Sequence, residues 1–303
     1  MMLIKKKCLF CENENVCNEA GNPEKLYSQN FKENDLNPDV FSARRSTDHF
    51  HYNMKHCRKT GLVFSSDVLP DPVLLDLYQN SRFSYQEFTG LLCQNYWNPI
   101  KTFNHFFTKE NALEIGCGNG FFIEKLMGIG FKNVYGCEPC KQAIDIAKPE
   151  IKEKILCNFF KKGLFDKNYF DFICSFHTLD HVSDPSDFLN TCFEILKPKG
   201  FAYFITHNVN SIQAILLGEK SPIIDIEHIY LFNKQTLQMI GEKAGFRTFK
   251  NFNIRNSYPI TYWLRMSPVP FKKIILKIAS SLRLSNRIIA FKAGNIGILF
   301  QKL

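Results

Sequence analysis

The 303-residue chain contains no apolar run of about 18 residues, so nothing in it reads as a membrane-spanning helix. Its opening, MMLIKKKCLFCENEN, lacks the apolar stretch of a secretory signal, which predicts a cytoplasmic protein. There is no dense basic block: 38 Lys and Arg outweigh 29 Asp and Glu, but the lysines are spread along the whole chain. A nucleic-acid partner is therefore allowed by the +9 charge and not indicated by it. A disulfide framework is missing too. The 11 cysteines are odd in number and mostly sit in apolar segments such as FICSF and LLCQNY, as buried thiols do in a reducing compartment. No internal repeat is visible. What is present is ample core material: 45% of residues are hydrophobic and 30 are Phe, which excludes a disordered chain.

Four stretches differ in character. Residues 1–65 are polar and hold four cysteines, and residues 66–108 show apolar spacing that predicts short helices. From 109 to 207, the short apolar runs ALEIG, NVYGCE, FDFICSF and FAYFIT alternate with helical patterns starting at Asn119, Cys140 and Asp184. That alternation predicts an α/β fold, a Rossmann-like doubly wound parallel sheet with helices on both faces. Asp184-Pro185 is a helix start, a capping side chain followed by proline at the first helical position. Lys197-Pro198-Lys199-Gly200 turns from that helix into the next strand. Residues 208–303 are an α+β extension, with a helix from about Lys234 to Ala244, a strand after Gly245 and a closing strand near Ile296–Phe300.

The segment ALEIGCGNGFF carries the chemistry. Gly116, Gly118 and Gly120 follow a strand directly and open a helix, so that backbone N–H groups can approach a ligand. A dinucleotide fingerprint needs its third glycine one residue later, where Phe121 stands. Glu114, two residues before the first glycine, would repel a pyrophosphate and attract an ammonium group. Glu138 ends the next strand, 18 residues after Gly120, where a carboxylate accepts hydrogen bonds from both ribose hydroxyls. Ammonium, ribose and close backbone contact together fit S-adenosylmethionine (SAM) better than a nicotinamide dinucleotide.

These residues resemble the class I SAM-dependent methyltransferases, over roughly 109–207. The match continues in FDFICSFHTLDHVSDPSDFLNTCFEILKPKG, close to that family's F-D-x-I…L-x-H-V…P…L…L-K-P-G-G run, with Lys199 in place of the first glycine. The resemblance implies that Glu114 receives the methionine amino group and that Gly116, Cys117, Gly118 and Gly120 wrap the cofactor. It implies that Glu138 holds the ribose, with Asn158 and Phe176 completing the cofactor site.

Methyl transfer from a sulfonium is an in-line displacement, so the protein's task is to orient the acceptor and remove its proton. Histidine suits that step, and His177, His181, His207 and His228 all follow strands whose ends face the ligand crevice. The segment Asp225–Phe232 looks like the E-H-x-Y-F segment of sugar C-methyltransferases, which also carry an N-terminal cysteine module. That resemblance implies acid–base roles for Glu227 and His228; we take His228 as the first choice of base and His181 as the second. Adjacent residues on a strand point opposite ways, so Glu227 and His228 share a task only on irregular backbone. Tyr78, Ser81 and Tyr85 lie in the lead-in helix that caps the acceptor or forms core.

Cys8-x2-Cys11 is half of a zinc knuckle, and Cys57 begins a second half whose partner position is Thr60, a poor Zn2+ ligand. Cys17, His51 or His56 are the alternative fourth ligands, and a ribbon without metal stays open. Arg44 and Arg45 offer paired guanidinium groups to an anionic acceptor, or a solvated turn. Near the end, Phe271, Ile274, Ile275, Ile278 and Leu282 share one helical face while Lys272, Lys273, Lys277, Arg283 and Arg287 supply charge. Packing on the sheet is the expectation for that helix, and peripheral contact with the inner face of a membrane is the alternative.

The sequence thus predicts methylation of a small-molecule or glycan acceptor, best a sugar or sugar nucleotide. An RNA base methyltransferase is the runner-up, because some pair a zinc module with this fold; the scattered lysines and the lack of an Asn-Pro-Pro-Tyr-type motif stand against it. A non-catalytic SAM-binding partner protein is the third reading.

Overall fold

A computed structural model describes residues 3–11, 22–42, 49–82, 88–266, 272–282 and 284–303. The strand–helix alternation builds a seven-stranded sheet from β1 (Asn111–Ile115), β2 (Asn133–Cys137), β3 (Ile155–Leu156), β4 (Phe170–Phe176), β5 (Leu196–His207), β6 (Arg247–Asn253) and β7 (Asn295–Gln301). Their spatial order is β3-β2-β1-β4-β5-β7-β6. The first five run parallel, and β7 lies antiparallel between β5 and β6. This is the Rossmann-like doubly wound sheet that the sequence predicts, with an inverted strand near one edge. Strand order reverses between β1 and β4, and the crevice at their C-terminal ends is where open α/β sheets bind ligands.

The helices include α1 (Asp71–Gln79), α2 (Thr89–Trp97), α3 (Phe121–Gly128), α4 (Lys141–Asp145), α5 (Pro185–Ile195), α6 (Ile212–Leu217), α7 (Lys234–Lys243) and α8 (Lys272–Ser281), beside the short helices Pro149–Lys152 and Ile260–Met266. Asp184 caps α5 by accepting from the Asp187 amide at 2.9 Å, and Pro185 takes the first position. β4 is buried along its whole length, as a central parallel strand covered on both faces must be. Side chains alternate between the two layers: Phe204, Ile298 and Phe300 pack on one side of the sheet, Tyr203, Ile205 and Leu299 on the other. The Pro198-Lys199-Gly200 turn is absorbed into β5 as a break in register, since pairing with β4 skips from Leu196 to Phe201. Lys199 there holds φ +66°, a left-handed backbone that a glycine adopts with less strain.

The N-terminal stretch is tied into the C-terminal extension. Strand Tyr230–Leu231 pairs with Val63–Ser65, which pairs with Met54–His56 and then Glu24–Tyr27, giving a four-stranded antiparallel sheet. One expectation is corrected. α8 does not lay its apolar stripe on the sheet: Ile274 is 56% exposed, Ile278 53% and Leu282 62%. Only Ala279 of that helix is buried among its described side chains, because the turns around it contact the short helix Ile260–Met266 and leave the broad apolar face outward. Phe271, Arg283 and the side chains of Lys272, Lys273 and Ile275 lie outside the described residues, as do Cys17, Arg44, Arg45 and Tyr85.

Candidate active site

Beyond the end of β1 the chain turns sharply. Gly116 N donates to Cys137 O at 2.8 Å and Gly120 N to Cys117 O at 2.9 Å, which pins the loop against β2 before α3 starts. Gly116 holds φ +72°, and a Cβ there would sit 2.2 Å from Thr178 Oγ1, so no other residue fits without displacing the β4 loop. Glu138, at the end of β2, is held by this loop: its Oε2 accepts from Gly118 N and its Oε1 from Cys140 N, both at 2.9 Å. Glu114 has the opposite environment. It is 2% exposed, and its Oε2 is buried without a hydrogen-bond partner. Burial, and then the nearby Glu138 charge, raise its carboxyl well above the usual carboxylate range. A buried carboxylate oxygen left unpaired is costly unless a cationic ligand group meets it. The amino group of SAM is such a group. The glycine cradle, the fixed Glu138 and the unpaired Glu114 oxygen therefore fit that cofactor.

The loop opens into a cavity of about 1330 Å³. Small-molecule sites usually measure about 300–1,000 Å³, so this one has space for a nucleoside cofactor and an acceptor together. Glu114, Gly116, Cys117, Gly118, Glu138 and Phe176 line it, with Tyr96 stacked on Phe176 at 4.4 Å between ring centres. Gly120 starts α3 behind the lining. Asn158 is not among the lining residues; Phe159 and Phe160 take that edge. Its backbone is spent locally, with the amide donating to Leu156 O and the carbonyl accepting from Cys137 Sγ.

The cavity also holds a cluster of histidines. His177 and His181 follow β4, His207 ends β5, and His228 comes from the segment before Tyr230; all four line the same cavity. Glu227 lines it as well, because 225–229 is a turn and not a strand, so neighbouring side chains converge. Ring centres of His181 and His228 are 4.8 Å apart, those of His207 and His228 4.6 Å, and those of His177 and His207 4.5 Å. Tyr78 on α1 hydrogen-bonds His181 Nδ1 at 3.2 Å, and Glu227 Oε1 stands 4.0 Å from that nitrogen. Ser81 lines the cavity too. Burial lowers His181, lowers His228 well below the ordinary imidazole value and pushes His177 down to about 3, each helped by neighbouring imidazoles. Burial thus disfavours the charged imidazolium form of these three rings.

At the centre is Asp180, which sequence reasoning missed. It is 0% exposed, and its Oδ2 accepts from His207 Nδ1 at 2.6 Å. Burial pushes its carboxyl up, but the surrounding imidazoles, His207 first, outweigh that and hold it well below the usual range. Its carbonyl accepts from Ile229 N (2.8 Å) and Tyr230 N (3.2 Å), which fixes the Glu227–His228 turn against the β4 loop. The available signal was the pattern His177-Thr178-Leu179-Asp180-His181, a carboxylate set among candidate bases.

The three N-terminal cysteines also meet. The sulfurs of Cys8, Cys11 and Cys57 lie within 4.8 Å of one another, with Thr60 Oγ1 4.0 Å from Cys8 Sγ. Neither alternative histidine joins them: His51 is taken by Tyr52 O and Glu219, and His56 by Glu24. Cys11 is disulfide-bonded in this structure, so a metal there would need it reduced.

The fold and this site define a class I, SAM-dependent methyltransferase domain. Residues 85–250, more than half of the chain, match the family model of the methyltransferase domain, and the chain belongs to that family. Among curated proteins it is similar to ubiquinone biosynthesis O-methyltransferases. One from Colwellia psychrerythraea is 31% identical over 125 residues, 39% of this chain and 50% of that protein. One from Shewanella sp. (strain ANA-3) is 26% identical over 117 residues, 36% of this chain and 49% of that protein. The matched region thus spans about half the length of these relatives. Among solved structures, a SAM-dependent methyltransferase of Thermotoga maritima superposes with a TM-score of 0.50 at 18% identity, covering 72% of this chain and 95% of that one. A methyltransferase of Haloferax volcanii, solved with its Trm112 activator, gives 0.51 at 14% identity, covering 71% and 94%. Both likenesses concern the fold.

Proposed function

We propose that this protein transfers a methyl group from SAM to a hydroxyl-bearing small molecule, best a sugar or sugar nucleotide. The observation that carries the reading is one cavity lined both by the cofactor cradle of Glu114 to Glu138 and by the histidine cluster. SAM, when bound, supplies an electrophilic methyl group on a sulfonium. Glu114 receives its ammonium group and Glu138 its ribose, which leaves the acceptor to approach from the histidine side. There His228, with His181 and Glu227 beside it, removes the acceptor's proton, and Asp180 orients His207 within the cluster. The same proposal divides the chain into a ribbon-like module (1–65), a helical lead-in (66–108), a SAM-binding core (109–207) and an extension completing the acceptor site (208–303).

The resemblance of Glu227–Tyr230 to the sugar C-methyltransferase segment supports the sugar acceptor, as does the N-terminal module braced against it. A second acceptor class, a hydroxylated aromatic with an apolar tail, is favoured by Ile212 and Leu216, which line the cavity and are each 78% exposed. It agrees with the names of the curated relatives and with contact at a membrane surface. Zinc at Cys8, Cys11 and Cys57 belongs to the proposal as well. Hydrogen bonds from Thr60 and Cys8 outweigh burial and lower the Cys57 thiol, favouring the thiolate a metal needs. Elemental analysis finding less than about a tenth of an equivalent of zinc removes that part.

Methyl-labelled SAM incubated with the protein and an extract of its source cells tests the main reading. Label in nucleotide sugars or glycans supports it, label in the lipid extract supports the second class, and label in RNA overturns both. His228→Ala and His181→Ala are expected to lower turnover by about 10²–10⁴-fold while SAM binding is kept. If neither does, the assignment of the base is wrong.

A further inference from the structure

Asp180 presents a problem that proton transfer alone does not solve. Its carboxylate is fully buried, Oδ2 is satisfied by His207, and Oδ1 has no hydrogen-bond partner. His228 Nδ1, in a ring that is 6% exposed, is buried and unpartnered as well. His181 Nε2 stands 3.9 Å from Asp180 Oδ1, too far for a hydrogen bond. Two such atoms left bare in one place are both unfavourable, the charged one more so. One ligand atom from each of Asp180, His181 and His228 lies within 4.8 Å of the others.

We propose that Asp180, His181 and His228 hold a divalent first-row transition-metal ion at the floor of the acceptor cavity. Two ligands each about 2.1 Å from one ion stand at most about 4.2 Å apart, so the widest separation must close by about half an ångström, a small ring rotation. The surroundings orient the donors as second-layer partners do in metal sites. His207 Nδ1–H holds Oδ2 and leaves Oδ1 facing inward. Tyr78 Oη lies 3.2 Å from His181 Nδ1, so the tautomer that metal binding requires, with Nδ1–H donating to Tyr78, leaves the Nε2 lone pair on the Asp180 side. Two imidazoles and one carboxylate suit Zn2+, Fe2+, Mn2+ or Co2+ better than Mg2+ or Ca2+, which favour oxygen shells. Three protein ligands leave positions open toward the cavity for an oxygen of the acceptor.

The inference rests on the methyl-transfer reading of this cavity and revises one role in it, moving the base from His228 to Glu227. With the ion in place, His181 and His228 act by holding it, and the bound acceptor hydroxyl becomes acidic. Its proton passes to the Glu227 carboxylate. The oxygen then forms the new O–CH3 bond while the S–CH3 bond breaks, and the electron pair stays on sulfur.

The test needs no acceptor. The full chain, stripped of metal by chelation and dialysis, is titrated with Co2+ and read by visible absorption. Nitrogen and oxygen ligands give d–d bands, whereas cysteine thiolates add a near-ultraviolet charge-transfer band. Expected are d–d bands that survive in Cys8→Ser/Cys57→Ser and weaken about 100-fold in affinity in His228→Ala and in His181→Ala, both of which still show a SAM-induced thermal shift. Bands that vanish with the cysteines and persist in the histidine variants overturn the site. If the cysteine variant folds poorly, the native Co2+ protein decides by its paramagnetically shifted imidazole N–H resonances: their presence supports the site and their absence overturns it. A failure of the methyl-transfer reading shows elsewhere, as no label transferred while the cobalt spectrum is unchanged.

Discussion

Glu114 and Glu138 are two carboxylates at the ends of neighbouring strands, and their surroundings give them different tasks. Glu138 already accepts two backbone N–H bonds, which work against the effect of its burial. Glu114 has an unpaired oxygen and a carboxyl held well above its usual range by burial. In the ligand-free chain a carboxyl raised in this way favours folding below its unfolded pKa of about 4.3 and costs stability as pH rises. Binding of an ammonium group reverses the preference, because the partner needs the carboxylate. SAM binding should therefore release a proton, and affinity should climb as pH rises from the unfolded carboxyl value through the raised folded one, then level above it. Isothermal titration in buffers of different ionisation heat measures that proton directly. Glu114→Gln should lower SAM affinity by about 10–100-fold, the value of one hydrogen bond to a charged group, and flatten the pH dependence. An unchanged slope in the variant would move the titration to another group.

Whole elements mattered where residues from distant parts of the chain had to meet. The strand Tyr230–Leu231 has two residues and no periodicity of its own; it exists because Val63–Ser65 pairs with it. Ser65 N donates to Ile229 O at 2.8 Å and Ser65 Oγ to His228 O at 3.3 Å, so the N-terminal sheet supports the backbone that presents His228. Ser65→Pro removes the amide donor and should reduce methyl transfer by an order of magnitude or more while the SAM-induced thermal shift stays. Ser65→Ala removes only the hydroxyl bond and should cost about 1 kcal/mol in urea unfolding with a smaller loss of rate. Equal loss of SAM binding in either variant would show general unfolding instead. These links also mark what could be read in advance. The glycine turn between β1 and α3 was legible because strand, glycines and carboxylates lie close together in sequence, as was the start of α5 at Asp184-Pro185. Asp180 was not, since its meaning depends on His207, Ile229 and Tyr230, which sheet formation brings to it.

For the molecule as a whole, the unabsorbed feature is apolar surface. An amphipathic pattern tells that a helix has an apolar face, not what that face meets, and in α8 it meets solvent. Ile212, Ile215 and Leu216 of α6 are likewise exposed, with Ile212 and Leu216 at the rim of the cavity. Lone exposed apolar residues are ordinary, but three grouped on the short helix α6 mark an interaction surface. Lys292, exposed and lining the same cavity as Ile212 and Leu216, adds positive charge. If that surface rests on an anionic membrane, an acceptor with an apolar tail reaches the histidine wall without leaving the lipid. The chain should then sediment with vesicles containing phosphatidylserine and not with neutral ones, and added salt should release it. Replacing Ile212, Ile215 and Leu216 with Ser should abolish sedimentation. Because those side chains are solvent-exposed, stability should change by no more than about 0.5 kcal/mol each. Sedimentation that is unaffected by the triple change, or equal on neutral vesicles, would assign the patch to another partner and leave the sugar reading of the acceptor the stronger one.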